Sequence, residues 1–239
     1  MSLPQQLQYH ENIFDTQSQN TLFDSLKHDI AWKQDHIKLF GKVHPTPRLV
    51  AWYGDPHCTY TYSGVVNTPL AWTPTLLAIK DRIEQLLYPA KFNCVLLNFY
   101  RDGHDKMGWH TDSPRDLFLG QKILPMLNVG IHLDNCPSAN GGLRVIPGTH
   151  NQSVLKLLFG KKQFIDHKPD EREVAFEIEK GDLTIHDGRL WHRVEVSPNF
   201  GEKSRRRVMY VPIITGKFKP KTANSKTPFY HRFTKVVTK

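Results

Sequence analysis

The sequence contains little cysteine and no long apolar run, and both absences limit the kind of protein it can encode. Its three cysteines, Cys58, Cys94 and Cys136, are odd in number and form no CxxC pair, so neither a disulfide framework nor a thiolate zinc site is indicated. No stretch approaches the roughly 18 apolar residues of a membrane span, and residues 1–6 lack the pattern of a secretory signal. We therefore expect a soluble protein of the reducing cytoplasm, or of the nucleus in a eukaryote, with no membrane partner.

Acidic residues are missing from the last part of the chain. From Lys203 to Lys239 there are eleven Lys or Arg and no Asp or Glu, whereas the preceding residues carry 21 basic and 23 acidic side chains. Nearly all of the formal charge of +9 therefore belongs to this basic C-terminal segment, residues 203–239. Such a segment can neutralise the phosphates of a nucleic acid, and it is equally compatible with a solvated tail.

Apolar material is sufficient for a sizeable core, since 39% of the 239 residues are hydrophobic and 11% are aromatic. No internal repeat or low-complexity tract is visible, and the glycines and prolines are dispersed rather than gathered into a linker. These features predict a single domain over residues 1–239, which we expect to be monomeric.

Hydrophobic periodicity predicts two helices followed by a run of strands. One helix is expected over Asp15–Ile30, and a second from Thr73, which can cap it, with Pro74 at the first helical position. The turn signal Asp187-Gly188 predicts a hairpin that would bring His186 and His192 close together. Eight short segments have strand character: Leu49–Tyr53, Cys94–Tyr100, Ile123–Leu133, Leu143–Ile146, Val174–Ile178, Leu183–His186, Trp191–Val196 and Val208–Ile214. This order favours a mainly β fold with flanking helices, arranged as a double-sheet barrel or jelly roll.

A candidate metal site begins with His110-Thr111-Asp112. Residues i and i+2 of an extended segment project to the same side, so one imidazole and one carboxylate can reach the same ion. A third ligand from a later strand would complete two histidines and one carboxylate, the set that holds Fe(II) in non-haem oxygenases and leaves open positions. We select His192 for this role, with His186 as the alternative; a buried histidine that only packs is the common fate of either residue.

An iron oxygenase with a dicarboxylic cosubstrate also needs a fixed cation for the distal carboxylate, and arginine suits it because its planar fork binds both oxygens. Arg205-Arg206-Arg207 precedes an apolar strand, and one of the three side chains can point inward. Arg206 and Arg207 are the two candidates. Asn98 and Tyr100, again at i and i+2, can aim an amide and a phenol at the same cosubstrate.

Six ordered segments between about residues 37 and 112 carry a family resemblance. They are Phe40-Gly41-Lys42, Pro47-Arg48-Leu49, Trp52-Tyr53-Gly54-Asp55, Thr59-Tyr60-Thr61-Tyr62-Ser63-Gly64, Asn98-Phe99-Tyr100-Arg101-Asp102-Gly103 and His110-Thr111-Asp112. Together they resemble the AlkB family of Fe(II)/2-oxoglutarate dioxygenases. The resemblance implies the double-stranded β-helix (jelly-roll) fold of these oxygenases, and Fe(II), 2-oxoglutarate and O2 as cofactors. It also implies alkylated DNA or RNA as the partner, and residues 1–90 as an N-terminal extension and substrate lid.

The resemblance assigns roles to individual residues. Asn98 and Tyr100 are expected to hold 2-oxoglutarate, and His110 and Asp112 to bind iron. For the distal carboxylate of 2-oxoglutarate, Arg207 is preferred over Arg206, because Arg207-Val208 matches the family's Arg followed by an apolar residue. The residues expected to contact the substrate are Phe40, Arg48, Tyr60, Tyr62 and Ser63. Among them, Tyr62 would sandwich a flipped base against His110, and Phe40 matches the side chain that duplex-active members insert into the vacated stack.

The second half of the chain departs from this pattern. Ser113 and Pro114 replace the family's acidic pair, and Ile213 replaces its second arginine. Residues 140–150 (NGGLRVIPGTH) and the stretch from Gly181 to His192 resemble instead phytanoyl-CoA hydroxylase relatives. The resemblance of the first half to the AlkB family implies oxidative demethylation of bases such as 1-methyladenine and 3-methylcytosine. The resemblance of the second half implies small-molecule hydroxylation as the alternative, and a non-catalytic nucleic-acid-binding module is a further alternative.

Overall fold

The structure is a computed structural model, and it describes residues 7–39, 42–56, 58, 60–62, 65–112, 126–152, 160–161 and 164–214. Two helices and thirteen strands lie in these ranges. The helices are α1 (Thr16–Asp29) and α2 (Pro74–Leu86). The strands are β1 (Leu7–His10), β2 (Lys33–Leu39), β3 (Lys42–Gly54), β4 (Tyr60–Tyr62), β5 (Val65–Asn67), β6 (Cys94–Tyr100), β7 (Met107–His110), β8 (Met126–His132), β9 (Gly142–Ile146), β10 (Val174–Ala175), β11 (Leu183–Asp187), β12 (Trp191–Glu195) and β13 (Arg206–Ile214).

The helices begin where the sequence predicts. Asp15 caps α1 by accepting a hydrogen bond from the backbone N–H of Ser18, and Thr73 caps α2 in the same way from Leu76. Pro74 occupies the start of α2, where its missing N–H leaves no bond unmade. None of the described helices combines the length and apolar character needed to cross a membrane.

The strands form two main sheets. A seven-stranded sheet, the major sheet, has the order β1-β11-β8-β13-β6-β3-β2, and a four-stranded sheet, the minor sheet, has the order β10-β9-β12-β7. All of their pairings are antiparallel, and β4 and β5 form a separate two-stranded hairpin. This arrangement confirms the predicted mainly β jelly-roll fold with flanking helices.

The hydrophobic core lies between the helices and one face of the major sheet. Phe23 and Leu26 of α1 and Ile79 and Ile83 of α2 are buried, and they pack in one cluster with alternate residues of the central strands. These strand residues are Val95, Leu97, Val129, Ile131, Leu183, Ile185, Met209 and Val211. Because strand side chains alternate between faces, the intervening polar residues face the minor sheet. The candidate site is built on this inner face.

Two details of the predicted strands are wrong. Asp187-Gly188 does not close a hairpin, because β11 pairs with β1 and β8 in the major sheet whereas β12 pairs with β7 and β9 in the minor sheet. The turn passes from one sheet to the other. The predicted strand Val174–Ile178 is shorter, since β10 ends at Ala175 and Ile178 makes only an isolated bridge to Cys136.

Candidate active site

The structure brings together the three residues selected as iron ligands. His110 is the last residue of β7, Asp112 follows two positions later, and His192 lies opposite His110 on β12. The Nε2 atom of His192 is 3.1 Å from Oδ2 of Asp112, and Nε2 of His110 is 3.6 Å from Oδ1. One ligand atom from each of the three residues lies within 4.8 Å of the other two, which is a suitable spacing for one shared ion.

Hydrogen bonds fix which nitrogen of each ring is available to a metal. Nδ1 of His110 donates to the carbonyl of Gly108 at 2.8 Å, and Nδ1 of His192 donates to that of Leu190 at 3.0 Å. A carbonyl can only accept, so Nδ1 carries a proton in both rings, and Nε2 is the nitrogen that each ring directs at the site. Two imidazoles and one carboxylate therefore converge, and this donor set fits Fe(II).

The charges of the trio also suit a cation. Burial and the neighbouring His192 lower the pKa of His110 to about 3, so its ring is neutral at physiological pH. Burial alone would raise the pKa of Asp112, but the charge and hydrogen bond of His192 hold it below its usual range. The Asp112 carboxylate therefore remains ionised, and its side chain is 33% exposed toward the open side of the site.

Asn128 and His186 lie behind the trio. The Asn128 amide donates to Oδ2 of Asp112 and lies 3.4 Å from Nε2 of His186. His186 is fully buried and its ring centre is 4.7 Å from that of His192, but it is not part of the convergent trio. The geometry thus favours His192 over His186 as the third ligand. Sequence reasoning missed Asn128, although a polar residue in the otherwise apolar β8 was a usable signal.

Asn98, Tyr100 and Arg206 share the inner face of the major sheet. Strand pairing sets Asn98 opposite Val208 and Tyr100 opposite Arg206, and the Arg206 guanidinium lies 5.5 Å from the centre of the Tyr100 ring. Asn98 is only 4% exposed, and its Oδ1 has no hydrogen-bond partner within the described part of the chain. A buried acceptor without a hydrogen bond destabilises the folded protein unless a bound ligand donates a hydrogen bond to it.

The two arginines differ in how their charge is balanced. Arg207 makes a two-pronged ion pair with Asp134, at 2.6 and 2.8 Å. Arg206 donates instead to the uncharged carbonyls of Asp102, Asp105, Glu195 and Ser204. It is 4% exposed, burial lowers its pKa, and no carboxylate among the described residues pairs with it. A buried cation without a counter-charge is stabilised by a bound anion. The geometry therefore favours Arg206, the second choice from the sequence, over Arg207 as the residue that binds the distal carboxylate.

A cavity adjoins these groups between the two sheets. Side chains of both sheets line it, among them Tyr100, Arg206 and Arg207 of the major sheet and Val194 of the minor sheet. The cavity therefore lies where the residues considered for cosubstrate binding meet.

Of the residues expected to contact substrate, the structure places only the side chain of Arg48. Its positive charge lies close enough to His110 and Tyr210 to lower the pKa of both side chains. Burial has the larger effect at each: it lowers the pKa of His110 and raises the pKa of Tyr210. The Arg48 Nε is buried and has no hydrogen-bond partner in the described ranges. Phe40 and Ser63 lie outside the described residues, as do the side chains of Tyr60 and Tyr62.

An aromatic residue that the sequence did not single out covers His110. The Phe164 ring stacks on the His110 ring, with centroids 5.0 Å apart and planes inclined by 29°. Phe164 follows β9 in an irregular segment, and no periodic pattern in the sequence marks it. Its position beside a candidate ligand makes it part of the site.

The model of the family described as phytanoyl-CoA dioxygenase (PhyH) matches residues 24–207. Among curated proteins, the chain is 45% identical over 87 residues to the DNA oxidative demethylase ALKBH2 of Bos taurus, covering 36% of this chain and 31% of that protein. It is also 38% identical over 104 residues to the alpha-ketoglutarate-dependent dioxygenase alkB homolog 3 of Mus musculus, covering 43% and 35%. The chain thus spans about a third of the length of these curated relatives.

Solved structures show the same fold at low identity. HygX from Streptomyces hygroscopicus, with nickel and 2-oxoglutarate bound, superposes with a TM-score of 0.58 at 12% identity, covering 87% of this chain and 82% of that one. AviO1 from Streptomyces viridochromogenes superposes with a TM-score of 0.54 at 18% identity, covering 91% and 93%.

Proposed function

Because the chain belongs to the phytanoyl-CoA dioxygenase family, and is therefore an Fe(II)/2-oxoglutarate-dependent dioxygenase, we propose that it removes N-methyl groups from alkylated nucleic-acid bases. The predicted enzyme class and the cofactors Fe(II), 2-oxoglutarate and O2 are confirmed by this membership and by the donor set of the trio. The non-catalytic alternative is accordingly not retained. The substrate is the part that we propose.

The proposed reaction balances with these cofactors alone. Iron held by the trio would supply the oxidising chemistry: 2-oxoglutarate and O2 would give succinate, which takes one oxygen atom, and CO2, and the other oxygen atom would be inserted into a C–H bond of the methyl group. The resulting N-hydroxymethyl group releases formaldehyde and leaves the unmodified base.

In this proposal the chain's own residues divide into three groups. His110, Asp112 and His192 hold iron through Nε2, a carboxylate oxygen and Nε2, and Asn128 keeps the Asp112 carboxylate oriented. Arg206 neutralises the distal carboxylate of 2-oxoglutarate, with Asn98 and Tyr100 on the same face. Arg48 adds positive charge beside His110, where an anionic substrate would approach.

The observation that carries the choice of substrate is the 45% identity to a DNA oxidative demethylase, which is high for an 87-residue stretch. The basic C-terminal segment supports it, since eleven Lys or Arg with no acidic residue can contact several phosphates. Binding through such contacts should weaken steeply as the salt concentration rises.

The test is a product assay. The protein is incubated with Fe(II), 2-oxoglutarate and a single-stranded oligonucleotide that carries one 1-methyladenine or one 3-methylcytosine. We expect formaldehyde and the unmodified base to appear together, and neither product from His110→Ala under the same conditions. Consumption of 2-oxoglutarate by the wild type with no repair of any methylated DNA or RNA oligonucleotide would contradict the proposal.

A second candidate is hydroxylation of a small molecule, of the kind that the family name describes. It is favoured by the length of the family match, which covers residues 24–207, whereas the match to the demethylases is partial. In this case the hydroxylated carbon would stay on the product and no formaldehyde would form. The same assay separates the two candidates, and the iron and 2-oxoglutarate residues would be the same in both.

A further inference from the structure

We propose that Phe164 is a specificity-determining residue: its ring covers the ring of His110, and the flat ring of the substrate must displace it. The inference deepens the proposed function and rests on it. It concerns a side chain to which neither the sequence motifs nor the family resemblance gives a role.

The position of Phe164 leaves no space for a substrate ring on His110. Carbon atoms in contact lie about 3.5–4.0 Å apart, so a ring inserted between two others needs them separated by roughly 7 Å. The His110 and Phe164 centroids are only 5.0 Å apart. His192 is the other ring among the described residues that contacts His110, at 4.1 Å. A base or other flat group can therefore stack on His110 only if the Phe164 ring leaves.

The backbone of Phe164 is anchored, so the movement must come from its side chain. The Phe164 N–H donates to the carbonyl of Trp109 at 2.8 Å, and the N–H of Trp109 donates to Asp166 at 2.8 Å. Gly108 permits this approach, since a Cβ there would lie 2.5 Å from the Phe164 carbonyl oxygen. The segment thus lies beside β7, which is an edge strand of the minor sheet and carries His110 at its end.

Two further observations fit a side chain held in place for a function. Phe164 has a φ of 66°, a left-handed conformation that costs energy for any residue other than glycine and that is enriched at functional sites. Its side chain is also 38% exposed, so the phenyl ring is neither a core residue nor fully solvated. It lies between solvent and a candidate metal ligand, where an incoming substrate meets it.

Phe200 provides a matched control. It is also an exposed phenylalanine beside a histidine, with its ring centre 5.7 Å from that of His104. His104 is not part of the metal trio, so removal of the Phe200 ring tests the general effect of losing an exposed aromatic residue.

The experiment measures binding without turnover. Protein loaded with Mn(II) and 2-oxoglutarate is titrated into a fluorescein-labelled single-stranded oligonucleotide carrying one 1-methyladenine, and into the same oligonucleotide with adenine. Phe164→Ala should bind the methylated oligonucleotide about two- to tenfold more tightly than wild type, because no aromatic stacking contact has to be broken first. Phe200→Ala should bind both oligonucleotides as the wild type does.

A direct measurement follows the ring itself. With 4-fluorophenylalanine at position 164 of protein loaded with diamagnetic Zn(II) and 2-oxoglutarate, the fluorine NMR signal should shift when the methylated oligonucleotide is added, whereas the same label at position 200 should not respond. This measurement, together with Phe164→Leu, also covers the case in which the alanine variant fails to fold.

Weaker or unchanged binding by Phe164→Ala, or an unchanged fluorine signal, would refute the proposal that the substrate displaces the Phe164 ring. The ring would then either stay in place and contact the substrate or take no part in binding. These outcomes differ from failure of the proposed function, in which wild type releases no formaldehyde from the methylated oligonucleotide. That result would remove the basis of the Phe164 inference as well.

Discussion

His110 and His192 each donate a ring N–H to a carbonyl two residues earlier, and this shared local bond explains why both present Nε2 to the same point. His186 lacks it, since its Nδ1 has no partner among the described residues. This difference in one hydrogen bond predicts that His110 and His192, rather than His186, bind the metal.

Replacement of His110, Asp112 or His192 by alanine should abolish tight metal binding, because two remaining ligands cannot hold the ion. His186→Ala, at a residue just as buried but outside the trio, should retain it. Metal content after Fe(II) loading and Mn(II) titration check this. Equal losses in the His186 and His192 variants would refute the assignment of the third ligand.

Arg206→Gln should raise the KM for 2-oxoglutarate by about 10- to 150-fold, from roughly 1.5–3 kcal/mol of lost charge-assisted hydrogen bonding. Arg207→Gln should leave that KM nearly unchanged and lower stability instead, since Arg207 already pairs with Asp134. Steady-state kinetics and thermal unfolding separate the two effects. A KM defect confined to the Arg207 variant would restore the preference drawn from the sequence.

At the scale of helices and strands, α2 offers a test of local stability. Thr73→Ala removes the side chain that accepts from the Leu76 N–H at 3.2 Å, and we expect a loss of about 1 kcal/mol in the free energy of unfolding. Thr75→Ala, within the same helix, should be neutral or slightly stabilising because alanine has the higher helix propensity. Urea denaturation measures both, and equal effects of the two changes would argue against the cap.

The sequence predicts those elements that carry their own local signal. Both helices are confirmed because the caps and apolar stripes are local, and most central strands are confirmed because their apolar runs are buried. The strands β1, β2, β4, β5 and β7 were not predicted. For example, β2 (KQDHIKL) shows no clear alternation and forms by pairing with β3. The Asp187-Gly188 turn marks a reversal of the chain, but a turn signal carries no information on which sheet receives the next strand.

The same limit applies to the candidate site. Spacing predicted that His110 and Asp112 lie together, and they do, although β7 ends at His110 and Asp112 lies just beyond the strand. Asn128, Phe164 and the charge balance of Arg206 depend on contacts between residues far apart in the sequence. The polar residue in β8 was a local signal for Asn128, but no local pattern predicts the contacts of Phe164 or Arg206.

At the scale of the whole molecule, the lowered pKa of His132 predicts that the stability of the fold depends on pH. Its ring is buried, with Nε2 3.1 Å from the Thr184 hydroxyl, and burial lowers its pKa to about 4 from 6.5. In the unfolded chain the His132 ring is protonated below about pH 6.5, whereas in the folded protein it is protonated only below about pH 4. The free energy of unfolding should fall over this window, by on the order of 3 kcal/mol from this residue.

Urea denaturation of metal-free protein near pH 7 and near pH 4 checks this prediction. His132→Gln keeps a polar side chain beside Thr184 but cannot titrate, so its loss of stability across the window should be smaller than that of the wild type. Identical losses in the two proteins would exclude His132 as the cause.

The position of β13 in the major sheet bears on the order in which the chain can fold. This strand follows all the other described strands in the sequence, yet it lies at the centre of the sheet between β8 and β6. On one side are β6, β3 and β2, on the other β8, β11 and β1, and only β13 joins the two halves. During synthesis, Arg206–Ile214 must therefore leave the ribosome before β13 can pair with β6 and β8. Until then the edges of β6 and β8 are unpaired and need protection from other chains.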